Sequence, residues 1–230
     1  MEQIDKIYVL VHPEFEKIRH ERLKREFEKA HVPSEKIVYG AQTWGSQLNS
    51  ASIFNVWDPY CRRGVPALTW KCRCLSKGEI SLVLNFYFAA MDAVKNGYKN
   101  VLIFESDTYL RESFLEKFAD LMEELKEQPW DYVSLGEGIG TRPPNVPQPY
   151  SSPTKVWKPP HFGVFRCTDS MLFKVEFLAK VVQTLIPFRE CLDWELNYQL
   201  GLHKGVGLWV DPPLAEQGSG RNRDETLLPA

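Results

Sequence analysis

Residues 75 to 107, LSKGEISLVLNFYFAAMDAVKNGYKNVLIFESD, constrain the fold more than any other stretch of this chain. Ser76 and Glu79 have the spacing of a capping box ahead of an apolar run, and Gly97 supplies a stop. Between them, Leu82 to Met91 is apolar with few breaks, which predicts a helix buried on more than one side. Val101 to Phe104 follows as a buried strand that runs straight into Glu105, Ser106 and Asp107.

The flanking segments extend this pattern. IDKIYVLVHP reads as a first strand rich in β-branched residues and stopped by Pro13. Residues 14 to 31 carry Phe15, Ile18, Leu23 and Phe27 among many charges, as an amphipathic helix would. EKIVYGA reads as a second strand, whereas residues 42 to 74 have no clean period. A charged helix is expected from about Glu112 to Lys126, then a strand at DYVSLG. Strands alternating with helices through the first 135 residues predict an α/β sheet with helices on both faces. Seven of the sixteen prolines fall in residues 138 to 160, a composition typical of a binding loop. Beyond it, GVFRCTDSMLFK offers two short strands, VEFLAKVVQTL and CLDWELNYQLGLH two helices, and GVGLWVDPP a last strand before a polar tail.

At 230 residues the chain is long enough for one sizeable core and shows no linker between two. The formal charge of −2 and the lack of a basic stripe argue against nucleic-acid binding. No apolar run is long enough to span a bilayer, and no secretion signal opens the chain, so cytoplasmic work and free thiols are expected. The five cysteines fit no common zinc spacing, even with Cys61, Cys72 and Cys74 close together.

In an extended segment Glu105 and Asp107 point to the same side of the chain. Ligands of open α/β sheets bind beyond the carboxyl ends of the strands. Two carboxylates there suit Mg²⁺ or Mn²⁺ carrying phosphates, because hard cations take oxygen ligands. A polar turn after the strand would explain the same residues.

The 75–107 stretch resembles glycosyltransferase family 25, the lipopolysaccharide-type and collagen-type glycosyltransferases. The family pattern is a Leu-x-x-Gly-Glu-Ile helix start, a helix, a Gly-Tyr turn and an apolar strand ending in Glu-Asp-Asp. IDKIYVLVHPEFEKIRHERLKREF resembles the family's first strand and its arginine-containing helix. Three departures stand out: Ser106 replaces the middle acid, Val11 and His12 replace the usual Asn-Leu, and LNFYF stands where Ser-His is common.

The resemblance implies a single domain over 1–230 with a GT-A-like fold, a mixed, mostly parallel sheet flanked by helices. Its nucleotide-sugar half would be about 1–135 and its acceptor half about 136–230. The implied chemistry is hexosyl or deoxyhexosyl transfer from a UDP- or GDP-linked donor to a hydroxyl of a glycan or glycoprotein, with inversion. Asp107 would ligate the metal, with Glu105 on the ribose or on a metal-bound water. Further donor contacts would come from Val11, His12, Arg19, Ser106, Gln217 and Arg221, and acceptor contacts from Asp169, Ser170 and Trp157. Asp193, or Glu195 beside it, would be the base that takes the acceptor proton.

Each assignment has a plainer counterpart. Asp193 could be a helix N-cap and Glu195 a first-turn acid. The capping box alone accounts for Glu79. His12 could be a loop histidine, Arg19 a solvated helix residue, and Gln217 and Arg221 part of a polar terminus. Asp169 and Ser170 could form a turn, and Trp157 could anchor its loop. Two other functions share the sheet type: a sugar-phosphate nucleotidyltransferase, which would need a Gly-rich phosphate loop that VLVHPEFEK lacks, and a non-catalytic nucleotide or glycan binder.

Overall fold

The structure is a computed structural model that describes residues 1–59, 74–136, 156–159 and 167–218. Arg221, Ser219, His161, Cys61 and Cys72 lie outside the described residues, as does most of the proline-rich segment.

Seven strands form one sheet: β1 (Lys6–Leu10), β2 (Ile37–Tyr39), β3 (Asn100–Glu105), β5 (Tyr132–Ser134), β6 (Val156–Trp157), β7 (Ser170–Lys174) and β8 (Gly207–Val210). Their order is β2-β1-β3-β7-β5-β8-β6. Strands β1, β2, β3, β5 and β8 run one way, and β7 and β6 run against them. Strand β7 follows β3 and β5 in the chain yet lies between them in the sheet. A separate two-stranded ladder joins β4 (Thr108–Leu110) to β9 (Ala215–Gln217).

Side-chain alternation divides the core into two layers. Tyr8, Leu10, Val101, Ile103, Met171, Phe173 and Trp209 face α2 (Lys77–Lys95), α4 (Val175–Thr184) and α5 (Leu192–Leu202). Ile7, Val9, Leu102, Phe104, Leu172, Leu208 and Val210 face α1 (Lys17–Lys29) and α3 (Phe114–Glu124). The observed architecture is therefore a mixed α/β sheet flanked by helices on both faces. No helix among the described residues is long and apolar enough to cross a membrane.

Helix α2 begins as its sequence requires. The Glu79 amide donates to the Ser76 hydroxyl, and the Ser76 amide donates to the Glu79 carboxylate. Gly97, just past the last turn, sits at φ +66°, where a side chain would be strained. Helix α1 departs from its expected amphipathic pattern. Leu23 and Phe27 are buried, but Phe15 and Ile18 are exposed and Arg22 is buried instead. Arg22 takes that place because carbonyls of the segment after β3 receive its guanidinium.

Candidate functional site

Strand β3 carries the site. Its alternation puts Glu105 on the α2 face, level with Val101 and Ile103, at the carboxyl edge of the sheet. The Glu105 amide donates to the Asp169 carbonyl at 2.9 Å, which ties the strand end to the residue before β7. The Thr168 hydroxyl donates to Glu105 Oε1. Ser106 and Asp107 form the turn into β4, and both are buried.

Glu105 feels the charge of three other carboxylates here, those of Asp107, Asp169 and Asp193. Burial pushes the Glu105 carboxyl up to about 8, and the charge of Asp107 pushes the same way. The Thr168 hydroxyl opposes the rise, while Asp169 and Asp193 add smaller upward contributions. Cys167, a free thiol, sits among the same four acids. Burial first, and then those charges, push its thiol up to about 12, so it is protonated and a poor nucleophile.

The Glu105 shift has a consequence for stability. Between its ordinary 4.5 and about 8, the folded protein keeps a proton that the unfolded chain has released. The unfolded state then binds fewer protons, so this residue lowers stability as pH rises through that window, by at most about 1.4 kcal/mol per pH unit. Urea unfolding at pH 5 and pH 8 should give Glu105→Gln a flatter pH dependence than the parent. Identical slopes would mean that Glu105 is ionised in the folded protein at neutral pH.

Beside the carboxylates lies a cavity of about 510 Å³. Its walls come from the end of β1 (Leu10), the start of α1 (Glu16, Arg19), the segment after β2 (Ala41, Trp44, Gly45, Ser46) and the first turns of α2 (Lys77, Gly78, Ser81, Leu82, Asn85). Glu105 and Ser106 form its floor. Thr43 pins the loop wall to α2: its amide and hydroxyl donate to Asn85 Oδ1 at 2.9 and 3.1 Å, and its hydroxyl lies 2.8 Å from that of Ser81. The close approach leaves no room for a side chain at Gly45, where a Cβ would come within 2.8 Å of the Gly78 nitrogen.

Ser106 stands in a small network with Glu16 and Arg19 of the α1 start. Its hydroxyl donates to Glu16 Oε1 at 2.6 Å and accepts from Arg19 Nη1 at 2.9 Å. Arg19 also pairs with Glu16 at 3.0 Å, and the His12 amide donates to Glu16 Oε2 at 2.9 Å. The helix α1 start thus supplies a carboxylate next to the serine.

Several expected residues come together at this edge. Arg19, Glu105 and Ser106 line the cavity. Gln217 pairs with Thr108 across the β4–β9 ladder, and the Gly218 amide donates to the Asp107 carbonyl at 2.8 Å. Asp193 lies in the first turn of α5 and acts electrostatically on Glu105. It is not the N-cap considered from sequence, because Cys191 holds that position. Asp193 Oδ1 accepts from the Trp194 amide at 2.8 Å and from Cys191 Sγ at 3.1 Å.

Other expected residues are placed differently. Glu195 is 1% exposed and spans two partners, accepting from the Arg189 amide at 3.0 Å and from Gln199 Nε2 at 3.1 Å. That arrangement anchors the chain ahead of α5. Val11 is buried in the α1–α3 layer. The ring of His12 accepts from the Glu14 and Phe15 amides and packs 5.5 Å from Trp44. Asp169 and Ser170, expected to contact an acceptor, are each 1% exposed, and Asp169 leaves no room for a Cβ at Gly136. Trp157 lies in edge strand β6, edge-on to Trp209 at 4.9 Å.

Sequence reasoning passed over Glu16, Trp44, Lys77, Ser81 and Asn85. A signal existed for three of them: Lys77, Ser81 and Asn85 recur at four-residue spacing and so share one face of α2. Among the described residues, no group of three or more His, Cys, Asp or Glu side chains is arranged to hold a metal ion by itself. A cation here would need oxygens from a ligand or water to complete its shell.

The chain matches no family model. Over 66 residues, 28% of its length, it is 35% identical to "Probable inactive glycosyltransferase 25 family member 3" of Bos taurus. Over 113 residues, 45% of its length, it is 29% identical to "Inactive glycosyltransferase 25 family member 3" of Homo sapiens. The matched stretches span only 11% and 17% of those two proteins. The chain therefore has weak similarity, over short stretches, to members of glycosyltransferase family 25 that are themselves named inactive.

Proposed function

We propose that this chain is a GT-A-like glycosyltransferase domain that binds a nucleotide-diphosphate sugar in the β1–β3–α2 cavity and transfers the sugar to a hydroxyl of a glycan or glycoprotein. One observation carries the reading: a cavity of about 510 Å³ at the carboxyl edge of the sheet has Glu105 and Ser106 on its floor, with buried Asp107 the next residue. Such edges are where α/β sheets take ligands, and the volume lies within the range of small-molecule sites.

The donor set fits a hard divalent cation. Asp107 and Glu105 offer carboxylate oxygens, and the upward push of Asp107 on Glu105 is a repulsion that a cation would relieve. Mn²⁺ or Mg²⁺ bound there would supply Lewis-acid neutralisation of the leaving diphosphate. The chain's own residues do the rest. Arg19 and Lys77 line the cavity and bring positive charge to the phosphates. Gln217 is carried to the carboxylate turn by the β4–β9 ladder. Among the described residues Asp193 accepts on Oδ1 from Trp194 and Cys191, and its Oδ2 would take the proton of an acceptor hydroxyl for transfer with inversion.

A second reading is favoured by the printed names of the relatives: a domain that binds the nucleotide sugar without transferring it. Calorimetric titration with UDP and GDP, with and without Mn²⁺, tests the site common to both readings. Binding of one nucleotide that requires the metal is the expected result, and the preferred base identifies the donor class. Incubating the protein with the corresponding nucleotide sugars then separates the two. Released nucleoside diphosphate supports transfer, and retained binding without release supports the binder. If neither nucleotide binds, both readings fall.

A further inference from the structure

The turn that carries Asp107 is held by groups the proposed chemistry does not use. Arg22, buried on α1, reaches across to it. Its Nη1 donates to the Thr108 carbonyl at 2.7 Å and its Nη2 to the Ser106 carbonyl at 2.8 Å. Its guanidinium lies 3.8 Å from the centre of the Tyr109 ring. On the remaining side Nη1 is 3.3 Å from Glu26 Oε1, while Glu26 Oε2 accepts from the Leu110 amide at 3.3 Å. From the opposite direction the Gly218 amide donates to the Asp107 carbonyl. Tyr109 packs so closely on Gly218 that a Cβ there would meet its ring at 2.3 Å.

Three consecutive carbonyls, those of Ser106, Asp107 and Thr108, are thus each fixed by a named donor. The Ser106 and Asp107 carbonyls lie in the two peptide planes that flank Asp107, so Arg22 and the Gly218 amide together fix both planes, and with them the direction of the Asp107 Cα–Cβ bond. We propose that Arg22 is a positioning residue: its bond to the Ser106 carbonyl, together with the Gly218 amide on the Asp107 carbonyl, sets the direction in which Asp107 projects its side chain, and its bond to the Thr108 carbonyl holds the β4–β9 ladder beside it. This inference rests on the reading of Asp107 as the metal–nucleotide ligand. The planar fork is essential. A lysine keeps the positive charge near Glu26, but its single ammonium on a flexible stem cannot reproduce two parallel bonds to carbonyls two residues apart.

The test compares the parent with Arg22→Lys and Glu26→Gln. Each is measured for thermal midpoint, for amide hydrogen exchange and for nucleotide binding with Mn²⁺. Arg22→Lys is expected to melt near the parent, to exchange the amides of residues 107–110 and 215–218 at least about tenfold faster, and to bind the metal–nucleotide pair about tenfold more weakly. Amides of β1 and β7 should not change. Glu26→Gln keeps the two carbonyl bonds and should behave like the parent.

Unchanged exchange in Arg22→Lys overturns the clamp, and so does a loosened ladder with undiminished binding. If the parent itself binds no nucleotide, the donor reading fails separately, and exchange alone decides the clamp. Should Arg22→Lys unfold, the parent decides it. A clamped turn exchanges as slowly as β3, and a turn exchanging far faster than β3 overturns the proposal.

Discussion

Asp107→Ala is expected to abolish metal-dependent nucleotide binding while leaving the unfolding midpoint within a few degrees of the parent. Asp107 is 5% exposed, and the backbone around it is tied into the fold: its carbonyl takes the Gly218 amide, and its neighbours' carbonyls take Arg22. All three bonds survive truncation to alanine. The lost carboxylate is also one of those that push Glu105 up, so its removal relieves like-charge repulsion inside the protein. Binding should suffer more than the roughly 10–100-fold that changes behind a metal's direct ligands cost, because a direct oxygen is removed. Calorimetry with Mn²⁺ and the preferred nucleotide measures it. Parent-like affinity in Asp107→Ala would remove this residue from the site and move the phosphates toward Arg19 and Lys77.

The largest loss of stability is expected from Phe173→Ala. Phe173 is fully buried in β7, the antiparallel strand set between β3 and β5. Its ring meets Tyr132 at 5.1 Å, Phe86 of α2 edge-on at 5.7 Å and Phe177 of α4 at 6.4 Å. Truncation leaves a cavity that sheet and helices on two sides cannot close, at a cost of about 3–5 kcal/mol. That is a large fraction of the ~5–15 kcal/mol that holds a domain folded. Phe15→Ala is the control, since that ring is 49% exposed and its loss should be nearly neutral. Urea denaturation measures both. A loss below about 1 kcal/mol for Phe173→Ala would show that this core repacks around the void.

The two predictions probe different layers of the same design. Strand β7, which carries Phe173, joins the sheet's two parallel groups of strands, β2-β1-β3 and β5-β8. Asp107 stands just past the carboxyl end of β3. A protein that lost Phe173 would lose nucleotide binding together with its fold, whereas Asp107→Ala should lose binding alone.

Local chemistry was legible in the sequence wherever one element carried the whole signal. The capping box at Ser76 and Glu79, the stop at Gly97 and the apolar run Val101 to Phe104 need only neighbours in the chain, and each is present in the structure. The alternation of strands and helices likewise led to an α/β sheet with helices on both faces, as the structure has it. Glu105 and Asp107 form a candidate pair on the premise of an extended chain, but the chain turns at Ser106 and Asp107, and it is Glu105 and Ser106 that line the cavity.

What only the tertiary structure decided is whatever joins segments far apart in the chain. The antiparallel insertion of β7 between β3 and β5 follows from pairing across more than sixty residues, which no local period encodes. From sequence, β9 belongs to a polar tail, because three residues with no apolar alternation become a strand only when β4 supplies the partner. Arg22 looked like one more charge on an exposed helix. Its burial is explained by two carbonyls more than eighty positions away. The same holds for Glu16 beside Ser106: helix α1 delivers a carboxylate to the serine through space. Sequence determines which segments can be helix or strand, because that depends on period and caps. The site depends on which ends meet, and packing of the two cores against one sheet decides that.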